Sequence, residues 1–490
     1  MKSGQIKSFF LLNQQARVPE MTTEEFRSYA HRLVDWMAYY MDNIENYPVK
    51  AQVKPGEVFA MLPDNPPNEP ESFEAFMKDL EAIIMPGITH WQSPNFFAYF
   101  PANTSPPSIL AEMIISTLSA QCMIWETSPA AAELEEKMMD WLRDLIGLPS
   151  VFEGVIQDTA STATLAAILT AREKKTDFRI NKEGTRKSGV LRVYCSEQTH
   201  SSIEKAVKIS GLGRDNLVKI PVKQDYSMDS TKLEESVRED IMKGLQPCCV
   251  VATIGTTGTT AIDPLREIGE ICRKNNIWLH VDAAMAGTAL ILPEFQWMLD
   301  GREYIDSFVF NPHKWMFTNF DCSAYFVRDP DVLIRTFEIL PEYLKTRTRG
   351  KVNDYRDWGI PLGRRFRALK LWSVIRMYGV SGLQEKIRYH LKIAGNLSEL
   401  ISGEPDFEIL APVVLNVVCF RYNPDGKSED QLNILNEKLN HKLNDSGKIY
   451  LTHTILNGRY TLRMVTGQTN VTMEHVEVAW ELIKKYAREF

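Results

Sequence analysis

Lys314 is the residue in this sequence whose position and neighbours point most clearly to a chemical role. It lies in Asn311-Pro-His-Lys-Trp315, directly after an apolar segment at residues 306–310. That segment predicts a strand, so Lys314 is expected just beyond its carboxyl end, where ligands gather in open α/β sheets. A lysine there can form an imine with an aldehyde cofactor. The alternative is a lysine in a surface loop, but Pro, His and Trp are unusual neighbours for a solvated residue.

A carboxylate follows a second apolar segment. Asp282 ends Ile277-Trp-Leu-His-Val-Asp282, which predicts a buried strand of the same sheet. At the carboxyl end of that strand, a carboxylate can pair with a protonated pyridine nitrogen and keep the ring an electron sink. The alternative is a turn aspartate that caps the next helix.

A helix start made of small residues predicts an anion site. Thr159-Ala-Ser161 opens a segment of Ala, Leu and Thr, and the free backbone N–H groups of a helix N-terminus attract anions. The segment lacks the patterns G-x-G-x-x-G and G-K-[ST], so a single phosphate is favoured over a nucleotide. Ordinary helix capping explains these residues equally well when they are taken alone.

Two further loops follow predicted strands. His200 comes after the strand at 190–194 and can stack on a flat ring and contact a substrate carboxylate, or else cap the helix that starts at Ser201. Thr256 and Thr257 follow the strand at 248–253 and can donate hydroxyl groups, or else only form a turn. The five segments therefore each supply a group that one phosphorylated aldehyde cofactor needs, and this convergence favours a cofactor site.

An α/β domain is needed to position these groups. Apolar β-branched segments alternate with amphipathic helices from about residue 105 to 380, which predicts a mostly parallel sheet covered on both faces. Helices are predicted before it at 22–45 and 71–84. After it, a helix at 382–402, strands at 413–420, 450–454 and 460–464 and a helix from about Thr472 predict an α+β domain. The expected organisation is an N-terminal helical arm (1–104), a large domain (105–384) and a small C-terminal domain (385–490).

Composition and charge exclude several classes of protein. The formal net charge is −7 and the pI is about 5.8, which argues against a nucleic-acid binder and against binding to an anionic membrane surface. The seven cysteines form no CxxC pair, so buried thiols in a reducing compartment are expected rather than disulfides or a metal site. No run approaches the about 18 apolar residues of a membrane span. A cytoplasmic protein is the resulting expectation.

Together the motifs resemble the group II pyridoxal-phosphate (PLP) dependent decarboxylases, and within them the aromatic-L-amino-acid decarboxylases. The likeness extends from about Thr22 to the C-terminus, and the combination of motifs is highly specific. It implies the type I PLP-dependent transferase fold, pyridoxal 5'-phosphate as the cofactor, and a homodimer with the active site near its interface and the arm wrapped on the partner. The matching segments are Asn311-Pro-His-Lys-Trp315, His280-Val-Asp-Ala-Ala284, Thr199-His-Ser-Ser202, Thr89-His-Trp-Gln-Ser-Pro-Asn-Phe-Phe-Ala-Tyr-Phe-Pro101, Met138-Met-Asp-Trp-Leu142 and Pro361-Leu-Gly-Arg-Arg-Phe-Arg367.

The resemblance also implies a role for each site residue. Lys314 would hold the cofactor aldehyde, Asp282 would bind the pyridine nitrogen, His200 would stack on the ring and Ala284 would pack beneath it. The remaining cofactor contacts would come from Thr159, Ala160, Ser161, Thr257 and Asn311. The substrate would contact Trp91, Phe100, Pro101, Ala102, Met123, His200 and Phe320.

By the same resemblance, Pro341-Glu-Tyr-Leu-Lys345 begins a mobile catalytic loop, and Tyr343 returns a proton to the substrate carbon after CO2 leaves. Composition alone indicates a solvated loop, because basic residues nearly alternate from Lys345 to Lys351. As a lid it would cover the site. Relatives that form aldehydes typically carry Phe at the tyrosine or Asn at the histidine. The presence of both Tyr343 and His200 therefore favours simple decarboxylation.

Four pocket residues depart from the family pattern: Ala102 where Thr is frequent, Gln121 and Met123 where animal relatives carry Ile and Phe, and Asn416 where Gly is common. They leave open the choice among tryptophan, tyrosine, phenylalanine and dihydroxyphenylalanine. The predicted function is decarboxylation of such an amino acid to the aryl amine and CO2. The alternatives are an aromatic aldehyde synthase, a decarboxylase of glutamate or histidine, and an inactive binding protein with this fold. The missing glycine patterns argue against a nucleotide-dependent enzyme.

Overall fold

A computed structural model describes residues 20–339 and 351–490 of the chain. The chain divides into two units, with the boundary between His90 and Trp91. The domain boundaries expected near residues 104 and 384 remain predictions.

The described part of the first unit is helical. Helix α1 (Thr23–Asn43) begins at a capping box, in which Thr22 Oγ1 accepts from Glu25 N–H at 3.2 Å and the Glu25 carboxylate accepts from Thr22 N–H at 2.8 Å. Two short helices follow, α2 (Glu57–Met61) and α3 (Phe73–Asp79), and the turns of Leu80–Ile84 continue α3. The helices predicted at 22–45 and 71–84 are therefore confirmed.

The second unit contains a seven-stranded sheet with the order β1-β7-β6-β5-β4-β2-β3. Strands β3, β2, β4, β5 and β6 pair in parallel, and β7 runs antiparallel to both β6 and β1. The mostly parallel sheet predicted from the sequence is confirmed. The strands are β1 (Glu153–Gln157), β2 (Leu191–Ser196), β3 (Leu217–Ile220), β4 (Gln246–Thr253), β5 (Trp278–Asp282), β6 (Ser307–Phe310) and β7 (Ser323–Val327).

Both faces of this sheet are buried. Successive residues of a strand point to opposite faces, so Phe308 and Phe310 enter one apolar cluster while Val309 enters another. Val250 and Val251 divide between the same two clusters. The helices of this part are α4 (Pro106–Leu118), α5 (Pro129–Leu145), α6 (Ala160–Lys175), α7 (Arg179–Glu183), α8 (Ser202–Ile209), α9 (Ser230–Met242), α10 (Leu265–Lys274), α11 (Pro312–Trp315) and α12 (Pro330–Phe337).

A second, antiparallel sheet follows the long helix α13 (Arg367–Ser402), which is interrupted at Gly379 by a φ of 68°. This glycine explains why only the segment beyond it was predicted as helix. The sheet has the order β10-β11-β9-β8 and packs with the last two helices around Phe420, Leu439 and Trp480, which confirms the predicted α+β region. Its elements are β8 (Phe407–Ile409), β9 (Val417–Tyr422), α14 (Glu429–Asp445), β10 (Thr452–Leu456), β11 (Arg459–Val465) and α15 (Met473–Ala487).

The cysteines are all buried free thiols. Burial raises the pKa of the Cys248 thiol to about 12, so this group stays protonated and unreactive at neutral pH. Within residues 20–339 and 351–490, no helix combines the length and the apolar character that a bilayer crossing needs.

Candidate active site

The side chains singled out from the sequence follow the ends of strands that point in one direction. Strands β2, β4, β5 and β6 are parallel, and β1 shares their direction because both β1 and β6 are antiparallel to β7. Their carboxyl ends therefore meet at one edge of the sheet. The residues at this carboxyl edge are Thr159 after β1, His200 after β2, Thr257 after β4, Asp282 at the end of β5, and Asn311 and Lys314 after β6.

Lys314 lies in α11, a single helical turn that leaves β6. Its N–H donates to Asn311 O at 2.9 Å, and its carbonyl accepts from Asn103 Nδ2 at 2.6 Å. The amine is partly buried, with Nζ 5.4 Å from the centre of the Phe100 ring. Burial lowers the pKa of Lys314, and the negative charge of Asp282 opposes this effect. An amine that loses its proton more easily is a better nucleophile toward an aldehyde.

Asp282 is a buried carboxylate at the end of β5, with 5% of its surface exposed. Its Oδ1 accepts from Ala284 N–H at 3.0 Å, which orients the carboxylate. Ala284 is partly buried, and its carbonyl accepts from Asn311 N–H at 2.9 Å. This hydrogen bond ties the loop after β5 to the loop after β6, so Asp282 and Lys314 keep a defined relative position.

His200 is exposed at the same edge, and its ring is held by its own loop. Nδ1 accepts from Ser202 N–H at 3.2 Å and lies 2.8 Å from Ser202 Oγ. Burial lowers the pKa of His200, while Asp282 opposes this shift and Lys314 adds to it. The imidazole is therefore neutral at pH 7. An oriented, neutral and exposed ring is suited to stacking on a flat cofactor.

The start of α6 presents free donors to an anion. Thr159 caps the helix, and its Oγ1 accepts from Thr162 N–H at 3.3 Å. The next two backbone N–H groups, those of Ala160 and Ser161, have no hydrogen-bond partner among the described residues. They point out of the helix end, where the partial positive charge of the helix dipole is greatest.

Asn311 is connected to this helix start through one serine. Ser323 Oγ lies 2.7 Å from Asn311 Oδ1 and 3.3 Å from the carbonyl of Asp158, the residue before Thr159. The loops after β1 and β6 therefore meet, which places the anion donors of α6 on the same side of the sheet as Lys314.

Thr257 and its neighbour Thr256 have different environments. Thr256 is buried, and its Oγ1 accepts from Ala261 N–H at 3.1 Å, so it stabilises the turn. Thr257 is exposed and leaves its hydroxyl available. The next residue, Gly258, accepts from Arg463 Nε at 2.9 Å, so β11 of the second sheet anchors this loop.

One wall beside Lys314 is aromatic and apolar. Phe100 faces the Lys314 amine, and the adjoining Pro101 and Ala102 continue the wall toward Asn103. The carbonyl of Ala102 accepts from Gln92 Nε2 at 2.8 Å. Since Asn103 donates to the Lys314 carbonyl, the segment from Phe100 to Asn103 is fixed relative to the lysine.

The predicted pocket contains two other aromatic residues, Trp91 and Phe320, and each packs on a ring close to it in the sequence. Trp91 packs on Phe96 and Tyr99, with ring centres 4.6 Å and 5.6 Å apart. Phe320 is 57% exposed and lies 4.7 Å from the ring of His313, the residue before Lys314. An exposed aromatic side chain at this position is available to a ligand or to another chain.

Met123 is joined to a different part of the chain. Its carbonyl accepts from Arg356 N–H at 2.9 Å, and no hydrogen bond among the described residues joins it to Lys314 or Asp282. Tyr343 and the predicted lid at 340–350 lie outside the described residues. The roles assigned to these side chains remain predictions.

A phosphorylated aldehyde with a pyridine ring fits the chemistry of this edge. The free N–H groups of α6, the partly buried Lys314 amine and the buried Asp282 carboxylate match its phosphate, aldehyde and ring nitrogen. The model of the pyridoxal-dependent decarboxylase conserved domain matches residues 55–423. The chain belongs to the pyridoxal-dependent decarboxylase family.

Full-length relatives agree with this assignment. The decarboxylase is 44% identical over 481 residues to aromatic-L-amino-acid decarboxylase of Rattus norvegicus, across 95% of this chain and 98% of the relative. It is 43% identical over 481 residues to phenylacetaldehyde synthase of Petunia hybrida, across 95% of this chain and 94% of the relative. The crystal structure of Oryza sativa TDC with PLP and tryptamine is similar with a TM-score of 0.94 at 38% identity, across 96% of this chain and 99% of that chain. The decarboxylase therefore has the type I PLP-dependent fold, and PLP is its cofactor.

Two residues that position the site were not predicted from the sequence. Asn103 is buried and joins the Lys314 carbonyl to the Gly467 carbonyl, at 2.6 and 2.7 Å. Arg463 is buried, holds the Thr257 loop, and lies 5.4 Å from the centre of the Phe100 ring. Arg463 had a signal, because a charged residue in the middle of an apolar strand needs a buried partner. No comparable signal in the sequence pointed to Asn103 beyond its position just after Phe100-Pro101.

Proposed function

We propose that this decarboxylase converts an aromatic L-amino acid to the corresponding aryl amine and CO2. The main support is the aromatic wall beside the reactive lysine, where the Phe100 ring centre is 5.4 Å from Lys314 Nζ. The 44% identity to the rat aromatic-L-amino-acid decarboxylase supports the same substrate class. The apolar wall would bind the side chain of the substrate and leave its carboxylate in the more polar part of the site.

Each residue of the carboxyl edge has a distinct task in this proposal. PLP supplies an electron sink for the pair that remains when the bond from Cα to the carboxylate breaks. Lys314 would hold the cofactor through its aldehyde carbon. Asp282 keeps a proton on the ring nitrogen, and its burial strengthens that pairing. The N–H groups of Ala160 and Ser161 hold the phosphate, and His200 covers the ring.

The substrate class is tested by measuring product. The PLP-loaded enzyme is incubated with tryptophan, tyrosine, phenylalanine, dihydroxyphenylalanine, histidine and glutamate, and amine and CO2 are quantified. The proposal expects equal amounts of amine and CO2 from at least one aromatic substrate and none from glutamate. Preferential turnover of glutamate or histidine would replace the aromatic assignment with one of those two alternatives.

Aldehyde formation is the second candidate, favoured by the 43% identity to the Petunia phenylacetaldehyde synthase. The two outcomes differ in what happens to Cα after CO2 leaves. Return of a proton gives the amine, whereas oxidation by O2 gives aldehyde, ammonia and hydrogen peroxide. Quantifying peroxide beside amine in the same reaction separates them, and we expect amine to exceed peroxide by a large margin.

Tyr343 is proposed as the residue that returns the proton. The change Tyr343→Phe removes only the hydroxyl, so we expect amine formation to fall by roughly 10²-fold or more, the size of a general-acid contribution, while the share of aldehyde and peroxide rises. Tyr389→Phe makes the same change on an exposed part of α13 and should leave both rates unchanged. Normal amine kinetics in Tyr343→Phe would remove Tyr343 from the mechanism.

A homodimer is proposed on two observations. Helix α4 exposes an apolar stripe of Leu110, Ile114 and Leu118, at 53%, 51% and 59%, and such a surface favours burial against another chain. Met123, expected in the substrate pocket, is joined through its carbonyl to Arg356 and makes no hydrogen bond to Lys314 among the described residues. The proposal therefore has Met123 line the pocket of the partner subunit, near the interface.

Mixed dimers test this arrangement directly. Lys314→Ala removes the cofactor lysine, and Met123→Arg obstructs the pocket that Met123 lines. If Met123 acts across the interface, co-expression of the two inactive chains restores about a quarter of the activity, because half of the dimers are mixed and one of their two sites is intact. If Met123 acts within its own chain, mixing restores nothing. Light scattering of the wild-type enzyme should give twice the chain mass.

We also propose that the enzyme acts in the cytoplasm. The support is its seven buried free thiols, which suit a reducing compartment. Localisation of the full-length chain with a C-terminal fluorescent tag tests this, and accumulation in a secretory compartment would contradict it.

A further inference from the structure

A cavity lies at the amino edge of the seven-stranded sheet, where the parallel strands begin, opposite the carboxyl edge that holds Lys314. Its volume is about 490 Å³, within the range of small-molecule sites. Trp278 at the start of β5, Asp306 just before β6 and Arg328 just after β7 lie on its wall. Since β7 is antiparallel to β6, its last residue reaches this edge. The cavity is thus separate from the carboxyl edge that binds PLP.

Cationic side chains dominate the wall of this cavity. Lys174 and Lys175 come from the last turn of α6, Arg273 from the last turn of α10, and Arg328 from the end of β7. Within the described residues, none of the four has a carboxylate oxygen within 4.0 Å, the limit of a salt bridge. Four cations that share one cavity without ion pairing indicate a place for an anion.

The partners that these cations do have are neutral. Lys175 Nζ donates to Asn276 O at 3.0 Å, and Arg328 donates to the carbonyls of Ile305 and Arg302 at 2.7 and 3.2 Å. The Arg273 guanidinium lies 4.0 Å above the Tyr304 ring. In the same way, Lys174 lies 5.0 Å above the Trp278 ring. No carboxylate among the described residues lies within salt-bridge distance of these head groups, so their hydrogen-bonding capacity for a charged ligand is not used by the protein.

The two acidic residues on the wall compensate the four cations only in part. Glu303 Oε1 accepts from Arg266 Nη1 at 2.8 Å, and Arg266 also holds Asp300. Asp306 Oδ2 accepts from Leu279 N–H at 2.8 Å. Burial raises the pKa of Asp306 and lowers the pKa values of Lys175 and Arg328, while the charges of Asp306 and Glu303 oppose the shift at Arg328. Burial outweighs this opposition, so an additional anion would stabilise the charged forms of Lys175 and Arg328.

We propose that this cavity binds a small anion with at least two negative charges, of the phosphate or dicarboxylate class. Arginine and lysine together suit such a group, because guanidinium offers paired donors and ammonium offers a compact charge. The cations in the last turns of α6 and α10 could be explained by their favourable interaction with the helix dipoles alone. That interaction does not account for Arg328, which follows a strand and is half-buried, with two carbonyls and the Phe152 ring as its nearest partners.

The proposal is tested by calorimetric titration of the full-length enzyme loaded with PLP, so that the phosphate donors of α6 are already occupied. Pyrophosphate and malonate serve as separate probes at constant ionic strength, without divalent metals. The double variant Lys174→Gln/Arg273→Gln removes two cavity charges from exposed side chains. The control Lys274→Gln/Lys243→Gln removes two charges that are already paired, with Glu234 at 2.9 Å and with Glu239 at 3.3 Å.

We expect saturable binding of at least one probe, weakened at least about tenfold in the cavity variant, since a lost charged hydrogen bond costs more than a factor of ten. The control should change the dissociation constant by less than about twofold. Tighter binding of pyrophosphate assigns the phosphate class, and tighter binding of malonate assigns the dicarboxylate class. Absence of saturable binding, or equal weakening in both variants, overturns the proposal. Should the double variant lose PLP, the two single variants carry the same comparison.

Discussion

The two edges of the seven-stranded sheet differ in how their charges are compensated. At the carboxyl edge, the Lys314 amine lies under the influence of the Asp282 carboxylate, and burial shifts its pKa downward. At the amino edge, four cations surround a cavity that contains two carboxylates, and none of the four makes an ion pair within 4.0 Å among the described residues. The first arrangement suits chemistry on a bound group, and the second suits holding an anion unchanged. One scaffold supports both because the loops and strand ends, rather than the sheet, carry the chemistry.

The largest expected difference between the two edges concerns Lys314. Lys314→Ala should abolish turnover, by at least about 10⁴-fold as for other covalent catalytic groups, and remove the yellow colour of the lysine–cofactor linkage. Lys274→Ala makes the same change near the other edge, outside the cavity, and should retain both activity and colour. Turnover and the visible spectrum of purified protein check this. A yellow and active Lys314→Ala would refute the site.

The buried carboxylate of the carboxyl edge gives the next largest effect. Asp282→Asn keeps the shape but loses the charge that holds a proton on the ring nitrogen, so we expect kcat to fall by roughly 10²–10³-fold, the size of one lost electrostatic contact in an active site. Asp240→Asn is the matched change at a buried aspartate that pairs with Arg192 at 3.0 Å. It should lower the Tm but leave kcat within about twofold, and equal losses of kcat in both variants would contradict a specific role for Asp282.

A change at Asn103 tests whether this residue supports catalysis at the carboxyl edge or only the stability of the fold. Asn103→Ala leaves the carbonyls of Lys314 and Gly467 without a donor, so both the Tm and kcat should fall, kcat by about tenfold. Asn444→Ala removes a buried asparagine with comparable bonds, to Leu451 O at 3.0 Å and from Leu451 N–H at 2.9 Å. Its Tm should fall without loss of kcat. Parallel loss of kcat in the two variants would show that Asn103 acts only through stability.

The smallest effect concerns acid stability at the carboxyl edge. Burial lowers the pKa of His313 from its usual 6.5 to about 3. Between these values the unfolded chain binds a proton that the folded chain excludes, so stability falls as the pH decreases through this window, by up to ~1.4 kcal/mol per pH unit. His313→Asn can still accept from Cys322 N–H but cannot titrate. Its Tm should therefore fall less steeply below about pH 6, and identical slopes would exclude His313 as a contributor.

Much of the fold was predictable because the strands are buried on both faces. The segments that became β4, β5 and β6 read as continuous apolar runs, and their alternation with helices predicted a parallel sheet. Strands β1 and β7 were not predicted. Strand β1 carries Glu153 and Gln157 at its ends, and the antiparallel position of β7 depends on pairing between residues far apart in the chain.

The candidate site was predictable to the extent that parallel strands share an edge. Lys314, Asp282 and His200 each follow an apolar run, so their common location follows from local patterns. Asn103 and Arg463 could not be placed in this way, because their hydrogen bonds join residues 211 and 205 positions apart. The cationic cavity was also missed, since its four cations come from three elements.

The sequence alone was sufficient for the α/β architecture, the family and the choice of candidate cofactor-binding side chains, because these follow from periodicity and from motifs within short segments. Only the tertiary structure decided which charges are compensated. Burial and the distance between ionisable groups depend on segments that meet after folding, and they set the lowered pKa of Lys314 and the absence of ion pairs around Arg328 within the described residues. Electrostatic character at the two edges is therefore a property of the folded chain.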